Sequence, residues 1–184
     1  NLEIREWPRR PDLAGLQASN PQRYPGLFLS SGDTGWDVLF AFPQDTTRIT
    51  AAGGLRALQS HPAMQLLDPH PSDQSAHGLP FSGGWLAVFA YELGGLFEPT
   101  VGLAEDAGFP LAWLARIPAA ILFERDSGRC VLVAEAGQLA LIDAMADDLA
   151  RAVPPVPAMP QRISLHEDDP AAFLGGVERI QHYI

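Results

Sequence analysis

Alternating apolar and polar residues at 2–7 and short apolar runs bounded by turn residues elsewhere are both typical of β-strands. The strands predicted in this way cover residues 2–7, 36–42, 83–91, 117–124 and 129–134, with 48–52 as a candidate partner strand. The last two of the five flank residues 125–128 (RDSG), where Asp and Gly favour a hairpin turn. A substantial part of the chain is therefore predicted to be antiparallel sheet.

Helical spacing is clearest in the last third of the chain. Apolar residues recur every three or four positions from Leu139 to Leu149, and Pro154 ends that helix. A further helix is predicted to begin at Pro170, with Asp169 as its N-cap. Shorter helical segments are predicted at 11–17 and 92–97. Because the strands come in runs rather than in β-α-β alternation, the sequence predicts the α+β class with antiparallel sheets.

A proline-rich stretch divides the chain. It predicts a stiff connector, residues 154–168, between an N-terminal domain, residues 1–153, and the helix of residues 169–184. That helix has no Gly or Asn cap and finishes on an apolar residue. We therefore expect residues 1–184 to be the front part of a larger protein.

Charge and composition narrow the classes of function. A net charge of −10 argues against nucleic-acid or anionic-membrane partners, because both depend on basic patches. The chain contains no lysine, so it supplies no Walker A lysine and no lysine nucleophile. Its apolar runs are strand-sized and no targeting segment is recognised, so we expect a cytoplasmic protein. The single cysteine, Cys130, lies in an apolar strand and is expected to be a buried thiol.

Residue patterns that would indicate an active site are sparse. His61, His70 and His77 fall in a polar segment, 61–77, predicted to be a surface loop, and their spacing does not favour a metal site. No spacing singles out an acid–base pair among the carboxylates between residues 92 and 106. The glycine pair Gly83-Gly84 lacks the spacing of a dinucleotide loop and indicates a strand bend or a close backbone approach.

One turn also has the composition of a binding site. Residues 27–37 (LFLSSGDTGWD) place a serine-rich turn beside aromatic and apolar residues at a strand edge. Hydroxyls, exposed backbone groups and an aromatic wall are able to hold a small zwitterion such as an amino acid. The alternative is an ordinary hairpin turn with no ligand.

Three segments resemble a known enzyme family. Residues 23–32 (RYPGLFLSSG), followed by 36–43 (WDVLFAFP), resemble the opening of component I of aminodeoxychorismate synthase. Residues 79–94 (LPFSGGWLAVFAYELG) are similar to the family's P-F-x-G-G and G-Y-[DE] strand-and-turn signature. Residues 173–184 resemble the helix that leads into the chorismate-binding region. The segment of residues 79–94, which contains Gly83-Gly84, also resembles anthranilate synthase component I.

The resemblance implies a fold and a reaction. In this family two antiparallel sheets pack face to face with outer helices. The enzyme aminates chorismate, using magnesium and ammonia from a glutamine amidotransferase partner, on the route to 4-aminobenzoate and folate. The residues for chorismate and magnesium lie in the second half of family members, so residues 1–184 alone are predicted to be inactive, with no catalytic or metal-binding residue among them.

The resemblance also implies an amino-acid pocket that holds tryptophan in some members. Its serine matches Ser31, and its following segment matches Asp33, Thr34, Gly35 and Trp36. Anthranilate synthases usually show Leu-Glu-Ser where this chain has Leu-Ser-Ser, which favours the folate branch. Two alternatives stay open: anthranilate synthase component I, and a non-catalytic amino-acid-binding module with the same fold.

Overall fold

Eight strands form the framework of the computed structural model, which describes residues 2–50, 54–65, 78–98, 100, 102–103, 108–152 and 169–183. The strands are β1 (Leu2–Trp7), β2 (Gly26–Phe28), β3 (Trp36–Ala41), β4 (Gln44–Ile49), β5 (Gly84–Phe89), β6 (Ala112–Ile117), β7 (Ala119–Glu124) and β8 (Cys130–Glu135). The helices are α1 (Leu13–Ser19), α2 (Gly54–Ser60), α3 (Pro62–Gln65), α4 (Gly94–Phe97), α5 (Leu139–Arg151) and α6 (Pro170–Tyr183). A 3₁₀ turn, Tyr91–Leu93, precedes α4.

The larger sheet has five strands in the order β1-β8-β7-β3-β2, and each neighbouring pair is antiparallel. On one face, Leu39, Ile121 and Leu132 occupy facing positions of three neighbouring strands and are fully buried. Helices α1 and α5 cover this face, α5 through Ile142 and Met145. This apolar layer between sheet and helices is the main core of the protein.

The smaller sheet has three strands in the order β4-β6-β5. Strand β6 leads into β7 through the single residue Pro118, so the chain passes directly from one sheet to the other. One face packs on α2 and α3 through Leu114, Leu58 and Ala63. The second face of the larger sheet packs on Leu79 and other residues that precede β5.

A polar cluster joins α5 to the segment that enters β2. The Tyr24 ring is fully buried, and its hydroxyl donates to Asp148 Oδ2 at 2.7 Å. Arg23 Nη1 donates to the same oxygen at 2.6 Å. Burial raises the pKa of Tyr24 above its ordinary value of 10.0, with a further contribution from the hydrogen bond to Asp148. The start of β2 is therefore anchored to a long helix.

Most predicted elements are confirmed. The α+β class, the antiparallel sheets, the hairpin of β7 and β8, and helix α5 are all present. Asp169 caps α6, with Ala171 N donating to its carboxylate at 3.0 Å. Asp12 caps α1 in the same way, with Gly15 N donating at 2.9 Å. Among the described residues, no helix is long and apolar enough to cross a bilayer.

Three predictions about elements need correction or lie outside the described residues. The partner strand predicted at 48–52 is instead Gln44–Ile49, and it pairs with β6. The surface loop predicted at 61–77 contains helix α3 at Pro62–Gln65, while 66–77 lie outside the described residues. Strands β2 and β6 were not predicted. The connector predicted at 154–168 also lies outside the described residues.

Candidate functional site

The serine-rich turn lies between β2 and β3, and we call residues 30–35 the 30–35 loop. Its ends are tied together by local hydrogen bonds. The Ser30 amide donates to Asp37 Oδ1 at 2.9 Å, and the Ser30 hydroxyl donates to the Thr34 carbonyl at 2.7 Å. Gly35 has φ of +93°, a conformation that glycine adopts without steric cost. Hydrogen bonds within the segment therefore close the loop.

Residues from the distant β7–β8 hairpin fix this loop in place. Arg125 Nε donates to both carboxylate oxygens of Asp37, at 2.9 and 3.0 Å, and Arg125 Nη1 also donates to the Gly32 carbonyl. Asp126 accepts from the Gly35 amide at 2.8 Å. Asp37 is only 7% exposed, so its charge is neutralised by Arg125 inside the protein.

The five residues predicted for the amino-acid pocket differ in their exposure to solvent. Ser31, Asp33 and Thr34 are exposed, and Gly35 is half-buried. Trp36 is the first residue of β3 and packs on the face of the larger sheet that carries Val38 and Leu79. Asp37 and Arg125 were missed by sequence reasoning, although an acidic residue inside the apolar run 36–42 was a signal that it has a buried partner.

A small cavity adjoins the loop. It has a volume of about 400 Å³ and is lined by Arg10, Asp33, Phe123, Arg125 and Gly128. The Arg10 guanidinium lies 5.4 Å from the centroid of the Phe123 ring, a cation–π distance. The cavity therefore combines two cations, one carboxylate and an apolar wall, which are the groups that recognise an α-amino acid. Of the five predicted pocket residues, only Asp33 lines it.

A second cavity, of about 580 Å³, lies between the two sheets, and we call it the inter-sheet cavity. Strands β2 and β3 form one side and strands β4, β5 and β6 the other. The described residues that line it are mostly apolar and aromatic, with one charged side chain among them: Pro25, Gly26, Leu27, Phe28, Phe40, Arg48, Leu86, Val88, Gly108, Phe109, Pro110 and Trp113. Nothing in the sequence pattern indicated this cavity, because it depends on how the two sheets meet.

No protein-family model and no curated protein matches the chain.

The described residues also show what surrounds the remaining reactive side chains. They contain no group of three or more His, Cys, Asp or Glu side chains arranged to hold a metal ion. His61, expected to be a solvated loop residue, is half-buried: its ring lies 4.9 Å from that of Trp85, and its Nδ1 accepts from Ala63 N at 3.2 Å. His70 and His77 lie outside the described residues. Cys130 is buried as predicted, and burial raises its pKa to about 12.

Proposed function

We propose that this chain is the N-terminal part of component I of an aminodeoxychorismate synthase. The enzyme would aminate chorismate to 4-amino-4-deoxychorismate, the precursor of 4-aminobenzoate and folate. The proposal rests first on the resemblance of residues 23–43 and 79–94 to two motifs of that family. The absence of lysine agrees with it, since the family's lysine nucleophile belongs to the second half of its members.

The observation that carries the proposal is that the two motif segments contact each other. Phe40 of the first and Phe81 of the second meet edge to face, with ring centroids 5.2 Å apart. A Cβ built on Gly26 would lie 2.7 Å from Leu86 Cδ2, so glycine at position 26 permits the close approach of β2 to β5. The two segments lie tens of residues apart in the sequence but are neighbours in the structure, which supports the interpretation that both are parts of one family fold.

The fold provides a second line of support. Two antiparallel sheets, with α1 and α5 covering the outer face of the larger one, agree with the anthranilate synthase component I-like arrangement that the resemblance implies. Within that arrangement this segment completes the sheet core and helps to dock a glutamine amidotransferase. Chorismate and magnesium would be bound by residues outside 1–184, in a cytoplasmic enzyme.

We place the amino-acid site of this enzyme at the 30–35 loop. The Asp33 carboxylate suits the ammonium group of a bound amino acid. Arg10, which lines the same cavity, is positioned to pair with the carboxylate of that amino acid. Ser31 and Thr34 lie exposed on the same loop, where their hydroxyls are free to reach a ligand. Tryptophan is the ligand that the resemblance favours.

Genetic complementation tests the catalytic proposal. The complete gene is introduced into one bacterial strain that lacks aminodeoxychorismate synthase component I and into another that lacks anthranilate synthase component I. We expect growth without 4-aminobenzoate in the first strain and no growth without tryptophan in the second. Rescue of the tryptophan requirement alone would assign the protein to the anthranilate branch. Rescue of neither strain, with the protein expressed, would contradict a chorismate-aminating role.

Isothermal titration calorimetry tests the amino-acid site. L-Tryptophan is titrated into the wild-type protein, an Asp33→Asn variant and a Ser60→Ala control on the distant helix α2. We expect saturable binding that weakens at least tenfold in Asp33→Asn, because hydrogen bonds to charged groups are worth about 1.5–3 kcal/mol. The Ser60→Ala variant should bind as the wild type does. Absence of heat with the wild-type protein would remove the 30–35 loop from the proposed site.

A further inference from the structure

The inter-sheet cavity has two chemically different sides. Pro25, Gly26, Leu27 and Phe28 line it consecutively. Successive side chains of a strand point to opposite faces, so four consecutive lining residues mean that the backbone edge of β2 borders the cavity. Strand β2 pairs with β3 on its other edge. The opposite side is formed by side chains, including Leu86 and Val88, which alternate along β5 and share one face.

Aromatic rings dominate the interior of the cavity. Phe40 lies on the side of the larger sheet and Trp113 on the side of the smaller one, and Phe28 and Phe109 stand at the opening, 58% and 51% exposed. Large apolar side chains left half in water indicate a surface that something apolar covers. A volume of about 580 Å³ lies in the range of small-molecule sites, roughly 300–1,000 Å³.

Among the residues that the structure describes, Arg48 is the one cation that borders this apolar space. Arg48 on β4 is the cross-strand partner of Trp113 on β6, which in turn is the partner of Val88 on β5. The three side chains therefore form one row across the face that lines the cavity. Arg48 is exposed and forms no ion pair with any residue that the structure describes. Its guanidinium is free to pair with an anionic group of a ligand.

We propose that the inter-sheet cavity binds a flat aromatic carboxylate, with its rings between Phe40 and Trp113 and its carboxylate paired with Arg48. Apolar walls with one unpaired arginine match a ligand with an apolar body and one negative charge, and they disfavour a cation. The other edge of β2 pairs with no strand that the structure describes, so it offers N–H and C=O groups to further polar atoms of the ligand. This site is separate from the 30–35 loop and does not depend on the proposed catalytic function.

The probe pair 2-naphthoate and 2-naphthamide tests the proposal, because the two molecules have nearly the same shape and only the first is charged. Their binding to the protein expressed from its complete gene is measured by calorimetry. We expect saturable binding of naphthoate, at least about tenfold tighter than that of the amide. The Arg48→Gln variant should lose that preference and bind the two probes alike. The control is Arg56→Gln, the same change of charge at an exposed residue of α2 that does not line the cavity.

A second variant identifies the cavity without removing the arginine. Val88→Glu places a negative charge on the wall that faces the ligand, and it should abolish naphthoate binding while circular dichroism confirms the fold. Equal affinities for acid and amide in the wild-type protein would overturn the proposal. So would an equal loss in Arg56→Gln, binding that survives Val88→Glu, or no saturable naphthoate binding at millimolar concentration. Asp33→Asn should leave naphthoate binding unchanged, which separates this test from that of the amino-acid site.

Discussion

Removal of the Asp37 carboxylate should destabilise the fold and release the 30–35 loop. Asp37 is 7% exposed and accepts three hydrogen bonds, two from Arg125 Nε and one from the Ser30 amide. In an Asp37→Ala variant the guanidinium of Arg125 loses its ionic partner, and the Ser30 amide loses its acceptor. Each group then loses the partner that offsets most of its desolvation cost.

The expected magnitude follows from the burial of the two partners. Breaking a buried ion pair costs roughly 3–5 kcal/mol. The Arg125 side chain is 26% exposed, so water compensates part of that loss. We therefore expect Asp37→Ala to lower the free energy of unfolding by about 3 kcal/mol, near the low end of that range. The double variant with Arg125→Ala should cost less than the sum of the two single variants, because the second change removes the unpaired charge.

Urea unfolding followed by tryptophan fluorescence measures this change, and native-state hydrogen exchange at Ser30 reports on the loop. The control is Glu6→Ala, which breaks the surface ion pair between Glu6 and Arg129. The Glu6 side chain is 60% exposed. That variant should lose no more than about 1 kcal/mol. If Asp37→Ala costs no more than Glu6→Ala, or if the Ser30 amide exchanges at the same rate in both, the buried pair does not hold the loop.

Three further predictions concern the core and its turns. Burial raises the pKa of Cys130 from 9.0 to about 12, so the stability that the neutral thiol contributes is intact below pH 9 and falls as the pH rises towards 12. The Cys130→Ala variant should therefore lose less stability between pH 9 and 12 than the wild type does, and an unchanged slope would contradict the burial of a neutral thiol. Gly83→Ala should lower the thermal stability more than Gly128→Ala does. Both glycines have positive φ, a conformation that costs alanine about 1–2 kcal/mol, but only at position 83 would the new Cβ overlap the Glu135 carboxylate. Equal losses of stability would argue against this contact. Tyr24→Phe should lower the free energy of unfolding by about 1 kcal/mol in urea titration through loss of its hydrogen bond to α5, and no change would mean that this bond is not formed in solution.

Local patterns were sufficient for elements whose signal lies within a few residues. The β7–β8 hairpin was predictable from its Asp-Ser-Gly turn between two apolar runs, and α5 from its helical spacing and the proline after it. Strand β2 has only three residues, too few for a period to be recognised. Strand β6 is buried on both faces at several positions, so its sequence shows no clean alternation of apolar and polar residues.

The candidate sites depended on contacts between distant residues, and these set the limit of the sequence analysis. The loop at Ser31 and Asp33 was recognisable from its composition. Its attachment to Arg125 follows from the register of β3 and β7, in which Asp37 faces Phe123, and a single sequence does not reveal that register. The inter-sheet cavity likewise required the position of Arg48 relative to β2.

Analysis of the reaction product tests the central claim most directly. The protein expressed from its complete gene is incubated with chorismate, ammonium and Mg²⁺, and residues 1–184 alone serve as the control. The products are separated and identified by mass spectrometry. We predict that 4-amino-4-deoxychorismate accumulates with the complete protein and that the control leaves chorismate unchanged. Anthranilate as the product, or unchanged chorismate with the folded complete protein, would contradict the assignment.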